Sequence, residues 1–235
     1  MGILRLQTAS GTKVAATGSP HTLAVGQITA GSLLICAVGV DGITDKFTSL
    51  GDGTNTFTRI GTPQRVDGGG GNGWFYFAYK ENATAVAAPT LSLALSGISA
   101  SVIIFMEFSG FSTSVLDANI YAGGSASTAL NSTAAATTAQ AYELLVNGGY
   151  SDLGGGTYTL GEEWQGKVQA QNADNDGYMA YQIVNITGAY TAKTTLSSAS
   201  DNSCGIATFK ASGTSAVSRN DKTLRPHPFS PGLAR

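Results

Sequence analysis

Short β-rich runs separated by turn residues constrain the fold of this chain more than any other feature. Runs of Val, Ile, Leu, Phe, Tyr and Thr alternate with clusters of Gly, Asn and Asp over about the first two hundred residues. No long segment has apolar residues at helical spacing with capping residues at its ends. Turn residues at such short intervals typically separate strands. The chain is therefore predicted to be all-β.

The individual runs differ in how they are expected to be buried. SLLICAVGV, residues 32–40, is continuously apolar and predicts a strand buried on both faces. Residues 73–80, GWFYFAYK, predict an aromatic strand. In SVIIFMEFSG, a predicted strand places Val102, Ile104, Met106 and Phe108 on one face and Glu107 on the other.

Two halves of the chain repeat the same series of runs. In the first half LLICAVGVDGITD precedes GNGWFYFAYK and IIFMEFSG, and in the second half LLVNGGYSD precedes NDGYMAYQIV and GIATFKASG. Three positions are thereby matched: Leu33 with Leu144, Tyr79 with Tyr181, and Phe108 with Phe209. The repeat predicts a jelly-roll-like β-sandwich of two antiparallel sheets, because one half alone leaves an apolar face uncovered. Chance spacing in a β-rich chain is the alternative explanation.

The composition separates a body from a tail. We expect an N-terminal segment at residues 1–20, one β-sandwich domain at 21–212 and an extended Pro-rich C-terminal arm at 213–235. Within the domain, the small residues of 123–140 join the two halves and have too little bulk for a core of their own. Only 12% of the residues are charged, which makes burial of the surface in a larger assembly plausible.

Charge is distributed unevenly between these parts. Up to Lys210 the chain has nine Lys and Arg against fourteen Asp and Glu, a net charge of −5, and the remainder has four against one, a net charge of +3. The acidic body is not expected to bind nucleic acid. The basic tail is expected to be drawn toward an acidic surface.

The tail itself has the composition of a docking arm. Its prolines have no backbone N–H and a fixed φ, so they exclude a helix or a central strand. Apolar anchors and positive charges alternate among these prolines, which suits an extended peptide bound to a partner. The predicted docking residues are Leu224, Arg225, Pro226, Pro228, Phe229, Pro231, Leu233 and Arg235. A frayed terminus is the alternative.

Six short phrases follow one another in a distinctive order within about residues 23–212: GSLLICAVGVDG, TSLGDGTNTFTRIGT, FMEFSGF, YELLVNGGYSD, YQIVNITGAYTAKTTLSS and GIATFKA. In this order they resemble a family of β-rich proteins encoded by tailed bacteriophages and prophages. The ending PFSPGLAR is similar to C-terminal peptides of some phage structural proteins. The resemblance implies a jelly-roll virion protein: a capsid decoration or cement protein, or a head-fibre or tail component.

From this resemblance we expect a structural protein without catalysis or cofactor. The expected partners are other virion proteins, such as the major capsid, portal-adjacent or tail proteins, and further copies of the chain, with a trimer favoured. We expect neither nucleic acid nor a membrane as a partner. The expected location is the virion, after synthesis in the cytoplasm of the bacterial host, since no signal peptide or apolar membrane span is recognised.

Catalytic residues are sparse. The only histidines, His21 and His227, lie near the two ends of the chain, so a Ser/His/Asp arrangement lacks a well-placed base. An enzyme would have to be a carboxylate hydrolase that uses Glu107, Glu162 or Glu163. For Glu107 we favour a glutamate at the rim or one paired with a lysine.

Metal ligands and disulfides are also not expected. NADNDG, residues 172–177, has part of the spacing of a calcium loop, but Ile183 replaces the glutamate at the twelfth position, so a polar turn is favoured. Asp41, Asp45 and Asp52 have two interpretations: they bind calcium together at one end of the sandwich, or they are turn residues. Cys36 and Cys204 lie in apolar runs and are predicted to be buried thiols rather than a disulfide.

Aromatic residues leave a second function open. A set of them would form a sugar-stacking platform if they shared an exposed face, which would make the protein a carbohydrate-binding or host-adhesion module. The set comprises Trp74, Tyr76, Tyr79, Trp164 and Tyr178. Core or subunit-contact positions are the favoured interpretation, because aromatic side chains dominate burial in both settings.

Overall fold

The computed structural model describes residues 2–14, 19–67, 72–132 and 134–212, and every element in them is a strand. The first half contains β1 (Leu4–Lys13), β2 (His21–Ala24), β3 (Leu33–Asp41), β4 (Phe47–Gly51), β5 (Thr58–Arg59), β6 (Gln64–Asp67), β7 (Asn72–Lys80), β8 (Thr90–Leu95) and β9 (Ser101–Ser109). The second half contains β10 (Leu116–Asn131), β11 (Ala136–Thr137), β12 (Glu143–Ser151), β13 (Tyr158–Leu160), β14 (Gln165–Gln171), β15 (Asp176–Val184), β16 (Ala189–Tyr190) and β17 (Lys193–Lys210). The all-β prediction is confirmed. No helix in these ranges has the length and apolar character of a membrane span.

Two main antiparallel sheets pack face to face. The first main sheet has the strand order β1-β9-β3-β7-β5, with β6 also on β7, and the second has the order β10-β17-β12-β15-β14, with β13 also on β17. The predicted β-sandwich is therefore confirmed. The halves do not interlock as the Greek keys of a jelly roll would, because each main sheet takes all its strands from one half.

The two main sheets repeat not only the strand order but also the pairing register. The equivalent pairs are Leu33–Phe108 with Leu144–Phe209, Ile35–Tyr79 with Val146–Tyr181, and Thr58–Tyr79 with Gln165–Tyr181. A slip of one residue would move every side chain to the opposite face, so a shared register means a shared division into inner and outer faces. The predicted matching of the two halves is confirmed at the level of topology.

A central core lies between the main sheets. Val102, Ile104, Met106 and Phe108 of β9 all point into it, as the alternation predicts. Leu144, Val146, Met179, Ala207 and Phe209 face them from the second main sheet. Neither half could keep these side chains from water alone, so burial of this apolar surface holds the halves together.

Each half also has an outer core of its own, on the far side of its main sheet. The small sheet β2-β8-β4 covers the first main sheet, and the first outer core includes Leu34, Cys36 and Val38. The pair β11-β16 lies in the second half, where Leu145 and Cys204 belong to the second outer core. Strands β3 and β12 are thus buried on both faces. For β3 this confirms the prediction made from residues 32–40. Both cysteines are buried free thiols, which confirms that prediction, and burial raises the pKa of Cys204 to about 12.

Two segments have more order than the sequence suggested. Residues 4–13, which we assigned to a separate N-terminal segment, form β1 at the edge of the first main sheet. Half of the low-complexity passage 123–140, residues 123–131, belongs to β10, which pairs with β17. Backbone hydrogen bonds to a long neighbouring strand do not require bulky side chains, so small residues are sufficient there. Leu130 of β10 is fully buried and anchors this passage.

The hydroxyl group of Tyr121 links the second half to the backbone of the first. It accepts a hydrogen bond from the N–H of Phe77 at 2.9 Å and donates one to the carbonyl of Ile60 at 2.9 Å. We expect Tyr121→Phe to lower the free energy of unfolding by about 1–2 kcal/mol, because two backbone groups lose their partner. Chemical denaturation measures this loss. The control Tyr190→Phe removes only a partly solvent-exposed bond to Ile186 and should cost less than about 0.5 kcal/mol. Equal losses for the two variants would contradict the role assigned to Tyr121.

Candidate functional site

The predicted docking arm lies beyond the part of the chain that the structure describes. All eight of its residues lie outside the described residues: Leu224, Arg225, Pro226, Pro228, Phe229, Pro231, Leu233 and Arg235. The last described residue, Ser212, donates its backbone N–H to the carbonyl of Gly110 at 2.9 Å. The described part of the chain therefore ends beside the end of β9, at a place that we call the exit point.

A cavity of about 400 Å³ lies at this exit point. Residues 29–32, which precede β3, form one part of its lining, and residues 109–111 and Ser212 form the rest. Apolar atoms contribute most of its exposed surface, and Phe111 is among the lining residues. The end of the described chain thus lies against a mostly apolar concavity.

Glu107 has a structural role. It is fully buried on the outer face of β9, and its carboxylate accepts hydrogen bonds from Gln7 Nε2 at 2.5 Å and from the backbone N–H of Thr29 at 2.8 Å. The expectation of a rim position or a lysine partner is wrong, because an amide side chain of β1 and a backbone N–H satisfy the two oxygens. The carboxylate joins β1, β9 and the segment before β3.

The three aspartates considered as calcium ligands do not converge. Asp45 accepts hydrogen bonds from Arg59 at 2.6 Å and from the hydroxyl of Tyr76 at 2.8 Å. Asp52 accepts bonds from backbone N–H groups in its own turn. Burial is the main reason why the pKa of Asp41 is raised. Within the described ranges, no three His, Cys, Asp or Glu side chains are grouped as metal ligands.

NADNDG forms the polar turn that the sequence favoured. Asn172 Oδ1 accepts hydrogen bonds from the N–H groups of Asp174 at 2.8 Å and Asn175 at 2.9 Å. Asp176 points elsewhere and accepts bonds from the N–H groups of Gly155 and Gly156. Burial raises the pKa of Asp176 to about 6, and those two bonds lower it in part. These side chains therefore hold the loops 152–157 and 172–175 in place.

The five aromatic residues do not form a shared platform. Tyr76 is fully buried in the first outer core and Tyr178 in the second. Trp74 packs against the first outer core and Tyr79 against the central core, both only partly exposed. Trp164 is 8% exposed and belongs to the second outer core, but it also lines an open cavity.

That cavity, which we call the Trp164 cavity, has a volume of about 260 Å³. Its lining comes from three segments of the second half: Glu163, Trp164, Gln182, Ala189, Tyr190, Thr191 and Lys193. Polar atoms contribute more of its exposed surface than apolar atoms. Sequence reasoning singled out Glu163 and Trp164 but missed the others, because they are brought together only by the pairing of β14 with β15 and by the loop around β16.

His21 is not available as a catalytic base. It is 3% exposed in β2, and its Nδ1 lies 2.9 Å from the hydroxyl oxygen of Ser101. Burial, followed by the nearby charge of Lys13, lowers the pKa of His21 to about 4. The imidazole is therefore neutral at pH 7.

The buried imidazole predicts loss of stability in mild acid. Its pKa is lower in the folded than in the unfolded chain, so its contribution is complete above about pH 6.5 and is lost as the pH falls toward 4. The loss should reach at most about 3 kcal/mol. Asp176, with a pKa of about 6, titrates in the same pH range. Comparing the unfolding free energies of the wild type and of His21→Gln between pH 4 and 7 therefore isolates the contribution of His21. Parallel pH profiles would contradict the prediction.

Comparison of the chain with protein-family models gives no match, and neither does comparison with curated protein sequences.

Proposed function

We propose that the protein is a structural subunit of a tailed-bacteriophage particle, a decoration, cement or head-fibre protein. In this role the β-sandwich is a rigid body, and the C-terminal arm attaches it to a neighbouring protein. The observation that carries the proposal is the apolar edge of the first main sheet, where Leu4 and Leu6 of β1 are exposed. A structural role also agrees with the acidic side chains of Glu107, Asp45, Asp52 and Asp176, each of which accepts a hydrogen bond that fixes a strand or a loop.

The surface of the body supports assembly into a larger structure. Strand β1 is an end strand of the first main sheet, and its Leu4 and Leu6 are 61% and 38% exposed. Natural edge strands are usually protected by charge, by proline or by a covering segment, so an apolar edge favours contact with another chain. The low share of charged residues agrees with burial of such surfaces between copies or against other virion proteins.

The position of the chain exit supports an attached arm. The arm follows an acidic body, has a net charge of +3, and combines apolar anchors with prolines. A proline-restricted peptide loses less conformational entropy on docking than a Gly/Ser tail. Arginine side chains would pair with carboxylates of the neighbour, while Phe229 and Leu233 would fill apolar pockets.

Deletion of residues 219–235 tests the attachment directly. We expect the truncated protein to keep the melting temperature of the full chain but to be incorporated into gradient-purified particles at least about ten-fold less, as measured by quantitative immunoblot. Arg225→Gln with Arg235→Gln should also reduce incorporation, whereas the control Lys222→Gln should not. Unchanged incorporation of the truncated protein would reject the arm as the attachment device.

A further inference from the structure

We propose that the Trp164 cavity binds one pyranose ring of a glycan. This inference does not rest on the proposed virion role, because a structural subunit needs no such site. The cavity is open to solvent and has a volume of about 260 Å³, which suits a single ring rather than a larger ligand. It lies on the outer side of the second half, away from the central core.

Three polar side chains of the cavity are not engaged by other described residues. Glu163 and Lys193 are exposed, and neither side chain has an ion pair or hydrogen bond with another described residue. The amide of Gln182 is likewise unengaged among the described residues. Carboxylate, ammonium and amide groups together offer both acceptors and donors. Each hydroxyl group of a sugar both donates and accepts, so it can use both kinds of partner.

The aromatic side chains provide a rigid wall. Trp164 is held in the second outer core, and the hydroxyl of Tyr190 donates to the carbonyl of Ile186 at 2.9 Å, which fixes its ring. The faces of aromatic rings are electron-rich and attract the weakly positive C–H groups of a pyranose. In addition, Trp164 Nε1 is buried and has no acceptor among the described residues.

The internal repeat has a phenylalanine at the position that corresponds to Trp164. Gln165 pairs with Tyr181 as Thr58 pairs with Tyr79, so Trp164 corresponds to Phe57 of the first half. Phe57 is 6% exposed and packs in the first outer core, and its side chain has no polar atom. The first half thus uses phenylalanine at the equivalent position, whereas the second half has an indole N–H that is buried without an acceptor among the described residues.

The chemistry of the lining favours a neutral sugar over other small ligands. A lipid chain would require a mostly apolar lining, whereas polar atoms dominate here. The lining has one carboxylate, of Glu163, and one ammonium group, of Lys193, so it has no net charge that would select a phosphate or sulfate group. A polyhydroxylated ring with one apolar face matches the polar groups and the aromatic wall together.

A glycan array in the presence of EDTA, probed with the full-length chain, provides the first test. We expect selective binding of glycans that share one terminal sugar. The methyl glycoside of that sugar is then titrated by tryptophan fluorescence in a Trp74→Phe background, where Trp164 is the remaining tryptophan. Glu163→Gln should weaken binding by at least about ten-fold, because a charged acceptor is lost. The neighbouring Glu162→Gln, outside the cavity lining, should bind within about two-fold of wild type.

Two further measurements separate the site from general effects on folding. Trp164→Phe should retain the melting temperature of the wild type, because Phe57 fills the equivalent position of the first half. It should lose the fluorescence response and at least part of the affinity for the sugar. Free glycine, a zwitterion, is the alternative probe, and its binding in place of sugars would overturn the proposal. The absence of any glycan above background, or equal affinities of Glu163→Gln and Glu162→Gln, would also overturn it. None of these outcomes changes the expected incorporation into particles, so the two proposals fail independently.

Discussion

Replacing Gly39 with alanine is expected to lower the free energy of unfolding by about 3 kcal/mol. Gly39 lies in β3, the strand at the centre of the first main sheet, where the ring of Tyr150 from β12 packs directly on its backbone. A Cβ atom at Gly39 would lie 1.9 Å from Tyr150 Cδ2, and one at Gly73 would lie 2.4 Å from Tyr150 Cε1. The ring thus occupies a slot between two glycines. Because Tyr150 is fully buried and both sheets are fixed by hydrogen bonds, the ring has little space to move aside.

Chemical denaturation of matched variants checks this expectation. Gly97 provides the control, since a Cβ atom added there would meet nothing within 4 Å, and Gly97→Ala should change stability by less than about 1 kcal/mol. In a Tyr150→Ala background, the obstructing ring is gone, and Gly39→Ala should then cost much less than in the wild type. An equal cost in both backgrounds would show that the two halves do not meet through this contact.

Gln7→Leu is expected to have a similar effect, a loss of about 3 kcal/mol, because it leaves the buried carboxylate of Glu107 without its side-chain partner. Gln7 Nε2 also donates to the carbonyl of Gln27 at 2.8 Å, so the same substitution releases the segment before β3. Loss of this tie should loosen β1 from β9. The unfolding free energy measured in urea reports the total cost.

The double variant Gln7→Leu with Glu107→Leu separates the buried charge from the lost packing. Replacing both partners with apolar groups removes the unpaired carboxylate, so we expect the double variant to recover more than half of the stability lost by Gln7→Leu alone. Glu107→Gln, which can still accept from Thr29, should be the mildest of the three. If the double variant is less stable than Gln7→Leu, the account of Glu107 as a tie through Gln7 is wrong.

Local patterns predicted the strands well because burial leaves a clear periodic signal. The alternation in residues 101–109 assigned Val102 and Phe108 to one face and Phe105 to the other, and the structure places them in the central core and the first outer core. The equivalence of Leu33 with Leu144 also followed from sequence alone. The pattern did not predict which sheets pack against each other, because the sequence of an apolar strand does not indicate which sheet will cover each of its faces.

The features that sequence reasoning missed depend on contacts between distant residues. Glu107 looked like a rim residue because its partners, Gln7 and Thr29, lie 100 and 78 positions away. Strand β10 was missed because its small residues have no alternation to detect. The Trp164 cavity draws on three segments of the second half, so Tyr190 and Lys193 carry no local signal that marks them as lining residues.

Immunogold electron microscopy of purified phage particles tests the central claim most directly. Particles are prepared from the bacterium that expresses this chain and labelled with an antibody against the β-sandwich body, residues 21–212. A structural subunit predicts gold at one repeated position on every intact particle, either the head surface or a defined part of the tail. Particles without label, with all of the chain in the soluble fraction of the lysate, would contradict the account.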